Sequence, residues 1–218
     1  MPPLALLGLG LVLGLRHAAD PDHVVAVTAI TARTRRLASA AWLGAVWGIG
    51  HTTTMFLVGS FIILFNVVVP PRVGLAFELA VAIALVVVGL LNLRRGTARS
   101  GLEDTVSRLP VARAFGVGLV HGLAGSAAVA LLVLATVRDA RWACGYLLVF
   151  GAGTLLGMML ITTGVAAPLG LASRRWSGFT QVARVGSGLL SLGFGAWLIY
   201  QIGCLDGLFG AVAHWTPH

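Results

Sequence analysis

The sequence predicts an all-α integral membrane protein of about six transmembrane helices, arranged as two inverted three-helix repeats. Composition is the first reason. Of 218 residues, 58% are hydrophobic and 10% charged, with a mean hydropathy of +0.95. An ordinary soluble domain carries about 25% charged residues, and a chain of this length cannot hide so much apolar surface in one globule, so a soluble enzyme or binding module is excluded. The second reason is clustering. Leu75 to Leu93 holds one charge, Glu78, and Arg113 to Val137 holds none after its first residue. Apolar runs of about 18 or more residues read as membrane-spanning helices. The third is an internal correspondence, taken up below.

The expected spans cover about residues 3–30, 38–65, 74–93, 114–137, 142–168 and 185–205. They form one transmembrane domain over 1–218: a first repeat (about 3–93), a cytoplasmic linker (about 94–112), a second repeat (about 113–205) and a tail (206–218). The N-terminal run has no basic flank and continues into a charged motif, so it is expected to be a retained first helix rather than a cleaved signal peptide. The net charge of +8 comes from 15 arginines, with no lysine. There is no dense basic helix, which argues against nucleic acid as a partner. The arginines instead follow the linkers. Arg33, Arg35 and Arg36, then Arg94, Arg95, Arg99, Arg108 and Arg113, then Arg174, Arg175 and Arg184 occupy the first, third and fifth. Arg72, Arg138 and Arg141 occupy the second and fourth. The positive-inside rule then places the odd linkers in the cytoplasm and both termini outside it, as in a multi-pass protein of the bacterial cytoplasmic (inner) membrane. Glu78 reads as an interfacial residue near a helix end, and the six tryptophans as a belt near span ends. Cys144 and Cys204 lack metal-type spacing.

The correspondence is visible by eye. Gly14-Leu15-Arg16-His17 matches Gly118-Leu119-Val120-His121, Gly48-Ile49-Gly50-His51 matches Gly151-Ala152-Gly153-Thr154, and Gly89 matches Gly193, at offsets of 103 or 104 residues. Three spans per half force the halves into opposite orientations. That is the inverted-repeat plan of secondary transporters, whose substrate sites lie near the midplane at the repeat interface.

Chemistry concentrates in Arg16-His17-Ala18-Ala19-Asp20-Pro21-Asp22-His23, inside the first span. Arg16, Asp20 and Asp22 left unpaired at the bilayer centre would cost on the order of 8–10 kcal/mol. They must be paired, face water or bind an ion. An Arg16–Asp20 ion pair has the right spacing. In a continuous helix His17, Asp20 and His23 share one stripe about 120° wide, while Asp22 falls off it. Pro21 cannot donate to the His17 carbonyl, so the helix is expected to break at Asp20-Pro21, with Asp20 a good N-cap for the restart. Carbonyls freed near His17 could then face a cation. His51, with Thr52 beside it, and His121 sit mid-span in the second and fourth helices. Thr52 to Thr54 are expected to bond backbone rather than metal. Imidazole with carboxylate and no thiolate suits a borderline divalent metal such as nickel, cobalt or zinc.

Arg16-His17-Ala18-x-Asp20-x-Asp22-His23 closely resembles the signature of the nickel/cobalt transporter (NiCoT) family, R-H-A-x-D-A-D-H-I. Gly50-His51-Thr52-Thr53 resembles that family's L-G-H-S-T. The resemblance implies that His17, Asp20, Asp22, His23 and His51 bind the transported metal. Pro21 stands where the family has Ala, and Val24 where it has Ile. His121-Gly122-Leu123-Ala124-Gly125-Ser126 replaces a later G-F-D-T-A-T/S-E segment, and the chain is similar there to short relatives known as urease accessory membrane proteins, which are thought to supply nickel.

The expected function is therefore a secondary transporter for nickel or cobalt, with the metal ion as substrate, no resident cofactor, and the lipid bilayer as surroundings. The inside-negative potential favours cation import by about 2.3 kcal/mol per charge per 100 mV. Export, and a non-transporting scaffold that hands metal to a metalloenzyme such as urease through a metallochaperone or urease-maturation proteins, stay open. No enzyme is expected. His121 with Ser126 invites an intramembrane hydrolase, but the G-x-S-x pattern of that class is not met.

Overall fold

The structure is a computed structural model that describes residues 3–31, 36–94, 108–137, 139–176 and 178–215. Arg33, Arg35 and the third linker from Arg95 to Ser107 lie outside these residues. Seven α-helices follow one another: α1 (Pro3–His17), α2 (Pro21–Thr31), α3 (Leu37–Phe65), α4 (Pro71–Arg94), α5 (Arg108–Thr136), α6 (Ala140–Arg175) and α7 (Phe179–Tyr200), the last continued by a π-helical turn, Gln201–Leu205. No strand occurs among the described residues.

The punctuation has local causes. Pro21 opens α2, where a missing N–H costs nothing. Asn66 ends α3 at φ 50°, ψ 44°, a left-handed conformation that asparagine tolerates, and its N–H returns to the carbonyls of Ile62 and Ile63. Pro71 then starts α4. Asp139 caps α6 by accepting from the Arg141 N–H at 2.8 Å. Contrary to the expected end near 168, α6 runs past Pro168 to Arg175; a proline removes one backbone hydrogen bond but need not end a helix packed on neighbours.

Among the described residues, four helices are long and apolar enough to cross a membrane: Leu37–Phe65, Pro71–Arg94, Ala140–Ser173 and Phe179–Leu205. This is the pattern of a membrane protein, and large side chains such as Phe61, Leu64, Leu160 and Leu189 stand exposed on the outer faces. At 15 and 11 residues, α1 and α2 rise about 22 and 16 Å, each short of a hydrocarbon core about 30 Å thick.

Glycine sets the crossings. A Cβ on Gly14 of α1 would collide with the Phe150 carbonyl of α6; one on Gly118 of α5 would collide with the Trp47 carbonyl of α3. A Cβ on Gly50 would fall on the Phe115 carbonyl, and one on Gly153 on that of Leu11. These contacts are copies of one another at the same 103- or 104-residue offset. Small residues let helix backbones approach in this way without a hydrophobic driving force. The α4–α7 pair adds polar links: Ser191 Oγ to the Leu85 carbonyl at 2.8 Å, and buried Arg184 to the Asn92 carbonyl at 2.6 Å, with Asn92 Nδ2 donating to Ala29 O at 2.6 Å.

Candidate metal centre

The break between α1 and α2 builds the site. α1 ends at His17 and α2 restarts at Pro21, as the sequence predicts. The His17 carbonyl, however, is not offered to a cation. It accepts the Asp20 N–H at 3.0 Å and a bond from His23 Nδ1 at 2.8 Å. The proton that proline cannot supply comes from an imidazole.

That bond fixes chemistry. A carbonyl only accepts, so His23 Nδ1 carries the hydrogen and Nε2 carries the lone pair. His17 follows the same logic, with Nδ1 at 2.7 Å from Asp20 Oδ2. In α5, His121 Nδ1 donates to the Val117 carbonyl at 2.9 Å. Three imidazoles thus present Nε2 as a ligand atom, each held by a hydrogen bond on the other nitrogen. This is the usual support of a metal-binding histidine.

The lone pairs converge. His17 Nε2 lies 3.3 Å from His51 Nε2, and one nitrogen each of His17, His23 and His51 all lie within 4.8 Å of one another. Asp22 Oδ2 stands 4.0 Å from His23 Nε2 and 3.9 Å from His121 Nε2. His121 thus joins the cluster on the Asp22 side, outside the three-histidine triangle. His51 Nδ1 and His121 Nε2 are buried with no hydrogen-bond partner. Nothing fixes the His51 tautomer, and its Nε2–H can donate to the His17 lone pair. Asp22 Oδ2, facing the Nε2 lone pairs of His23 and His121, is an acceptor among acceptors that a cation between them would satisfy. Nitrogens bound to one ion at about 2.1 Å lie at most about 4.2 Å apart, so the triangle needs to tighten by at least about half an ångström to hold one.

Several expectations change. Asp22, off the stripe of a continuous helix, faces the site because the non-helical residues Ala18 to Asp20 at the expected break rotate α2 relative to α1. Asp20 spends its side chain on His17; no ion pair joins it to Arg16 among the described residues, and Arg16 is exposed. Pro21, also exposed, opens α2 and lines the edge of the cavity beside Asp20 and Asp22. Thr52 donates to the Gly151 carbonyl at 3.0 Å and ties α3 to α6, while Thr53 and Thr54 bond within α3.

Some residues escape the sequence reading. Trp47 is not in an interfacial belt. It is 1% exposed and packs edge-on to His23 and His121, at 5.1 and 5.3 Å between ring centroids. A Cβ on Gly125 would sit 3.2 Å from His17 Nε2 and 3.8 Å from His51 Nε2, so glycine there leaves the space before the ligand atoms open. Its position four residues after His121, on the same helix face, was the available signal. Glu78, read as interfacial, lines a cavity of about 270 Å³ together with His17, Asp22, His23 and His121.

No family model matches the chain, and no solved structure matches it significantly. Against a chloroplast protein named FOR GROWTH AND FERTILITY 2, from Arabidopsis thaliana, it is 24% identical over 204 residues, which cover 87% of this chain and 55% of that protein. Against the urease accessory protein UreH of Bacillus sp. (strain TB-90) it is 37% identical over 221 residues, covering 94% of this chain and 95% of that one. Identity at this level extends over nearly the whole of both chains: the chain belongs to the family of the urease accessory protein UreH.

Proposed function

We propose that the chain is a secondary transporter that moves a divalent transition-metal ion, nickel or cobalt, across the bacterial cytoplasmic membrane, in the import direction. One observation carries the reading. His17, His23 and His121 each have the Nδ1 hydrogen anchored, and their Nε2 lone pairs gather with His51 and the Asp22 carboxylate. Neutral imidazoles with a carboxylate suit a borderline divalent ion. In this reading the broken α1–α2 pair is one span and α5 another, giving six in a single domain of two inverted repeats, with both termini outside. The reciprocal glycine contacts support that symmetry. Substrate is held through nitrogen by His17, His23 and His51. Asp22 and His121 offer the adjoining position, and Asp20 orients His17.

The relative's name favours a second reading, a non-catalytic scaffold that hands nickel to urease-maturation proteins. Radiolabelled nickel uptake by nickel-starved cells that contain no urease separates the two. Uptake lost in His23→Ala and suppressed by cold cobalt is the expected result. Absence of uptake by a well-expressed, membrane-inserted chain refutes transport and leaves the scaffold.

A further inference from the structure

The cavity that reaches the histidines has a second polar wall. Besides His17, Asp22, His23 and His121 it is lined by Glu78 of α4 and Gln201, the first residue of the π-helical turn. Glu78 lies seven residues into α4, about 10 Å along its axis from Pro71, inside the most apolar of the spanning helices. A carboxylate at that depth is costly without a purpose. Gln201 Oε1 is buried and has no hydrogen-bond partner, an acceptor waiting for a donor or a cation. The turn that carries it is π-helical, a local distortion frequent at functional sites. Glu78 is also held in place from outside its own helix. Trp215 of the tail donates Nε1–H to Glu78 Oε1 at 2.8 Å. Its ring lies where a side chain on Gly74 would be, and the tail is tied down by Arg72, which donates to the Gly210 carbonyl at 3.1 Å.

The balance of donors differs from that of the metal centre, where imidazoles outnumber the Asp22 carboxylate. Here the donors are oxygens, from a carboxylate and a carboxamide. Oxygen donors suit a cation that still keeps water, whereas imidazoles require it to shed that water. Six waters at about 30 Å³ each occupy about 180 Å³, which the cavity of about 270 Å³ can hold.

We propose that Glu78 and Gln201 form a separate, weaker cation site in this cavity, where a hydrated divalent ion is held before or after its stay on the histidines, with Trp215 positioning the Glu78 carboxylate. The proposal rests on the transporter reading for its purpose, but the site can be read independently.

The probe is manganese(II), which prefers oxygen donors, in equilibrium dialysis against the purified full-length chain in lipid nanodiscs. In a His17→Ala/His23→Ala background, one weak manganese site is expected. Adding Glu78→Gln, or Gln201→Leu, should weaken it at least tenfold. In the otherwise native chain, each of these two substitutions should leave the imidazole–nickel absorption bands in place, which also shows that the variants fold. A parent background that binds no manganese, or manganese binding unchanged by both substitutions, overturns the proposal. Nickel bound by the native chain without imidazole bands, alongside a manganese site that needs Glu78, refutes the histidine reading and supports the oxygen site.

Discussion

Gly125→Ala offers a test in which stability and binding move in opposite directions. The new Cβ would lie 3.2 Å from His17 Nε2, 3.4 Å from His17 Cε1 and 3.8 Å from His51 Nε2. The first two distances are tight, so the His17 ring must shift by a few tenths of an ångström. That ring is held by the 2.7 Å bond from Nδ1 to Asp20. Disturbing a support of this kind typically costs 10–100-fold in metal affinity, or about 1.4–2.8 kcal/mol. Stability of the metal-free chain should move the other way. Alanine is favoured over glycine inside a helix by about 0.8–1.0 kcal/mol, and the clash is with the edge of a ring that is itself 16% exposed and able to give. Nickel titration calorimetry and thermal unfolding of the metal-free protein measure the two quantities on one sample. Nickel affinity within threefold of wild type would refute the argument that this glycine keeps the coordination space open. A metal-free chain destabilised by more than about 1 kcal/mol would show instead that the glycine serves helix packing, as Gly118 does against the Trp47 carbonyl.

Asp20→Asn should lower nickel affinity 10–100-fold with little loss of stability, because an amide no longer enforces the Nδ1–H tautomer of His17; calorimetry reads it, and unchanged affinity would refute the orienting role. Nickel binding should weaken as the medium is acidified, because protons compete with the metal for the imidazole nitrogens; an affinity that acid never lowers would mean that the histidines are not ligands. Arg184→Leu should destabilise the chain by about 2–3 kcal/mol, the scale of a buried charge-assisted hydrogen bond. Adding Asn92→Leu should cost less than its separate effect, because Arg184, Asn92 and Ala29 share one network; strict additivity in denaturation midpoints would refute the coupling.

How much of this was legible in the sequence depends on which interactions are local. The break at Pro21 is a property of one residue and its fourth neighbour, and it lies where the chain predicts it. Helix α5 and α6 boundaries, by contrast, depend on packing: Pro168 looks like a stop, yet α6 continues because neighbouring helices hold it. The candidate ligand residues could be chosen by type, but their aim could not. Asp22 points into the site only because three non-helical residues precede it, and a 100° rotation per residue assumes there are none. Glu78 is the opposite case. Its position in the sequence is unremarkable near a helix end, and only the tail folding back to Trp215 and the antiparallel packing of α4 on α7 bring it to the cavity that His23 lines.

On the proposed inverted repeat, the two halves differ at the positions that build the candidate metal centre. At an offset of 104, His17 corresponds to His121, but Asp20, Pro21, Asp22 and His23 correspond to Ala124, Gly125, Ser126 and Ala127. With no proline there, α5 runs unbroken from Arg108 to Thr136. An unbroken helix gives His121 the ordinary partner four residues back, the Val117 carbonyl. In the first half the His17 Nδ1 hydrogen goes to the Asp20 carboxylate instead. The break there turns the His17 carbonyl toward His23. Gly125, in the place of Pro21, supplies no ligand and no break; it keeps clear the space that the other half fills with ligands. On that repeat, the first half contributes most of the donors, and the second contributes His121 and the room beside Gly125. A site centred on the bundle follows without requiring its chemistry to be symmetric.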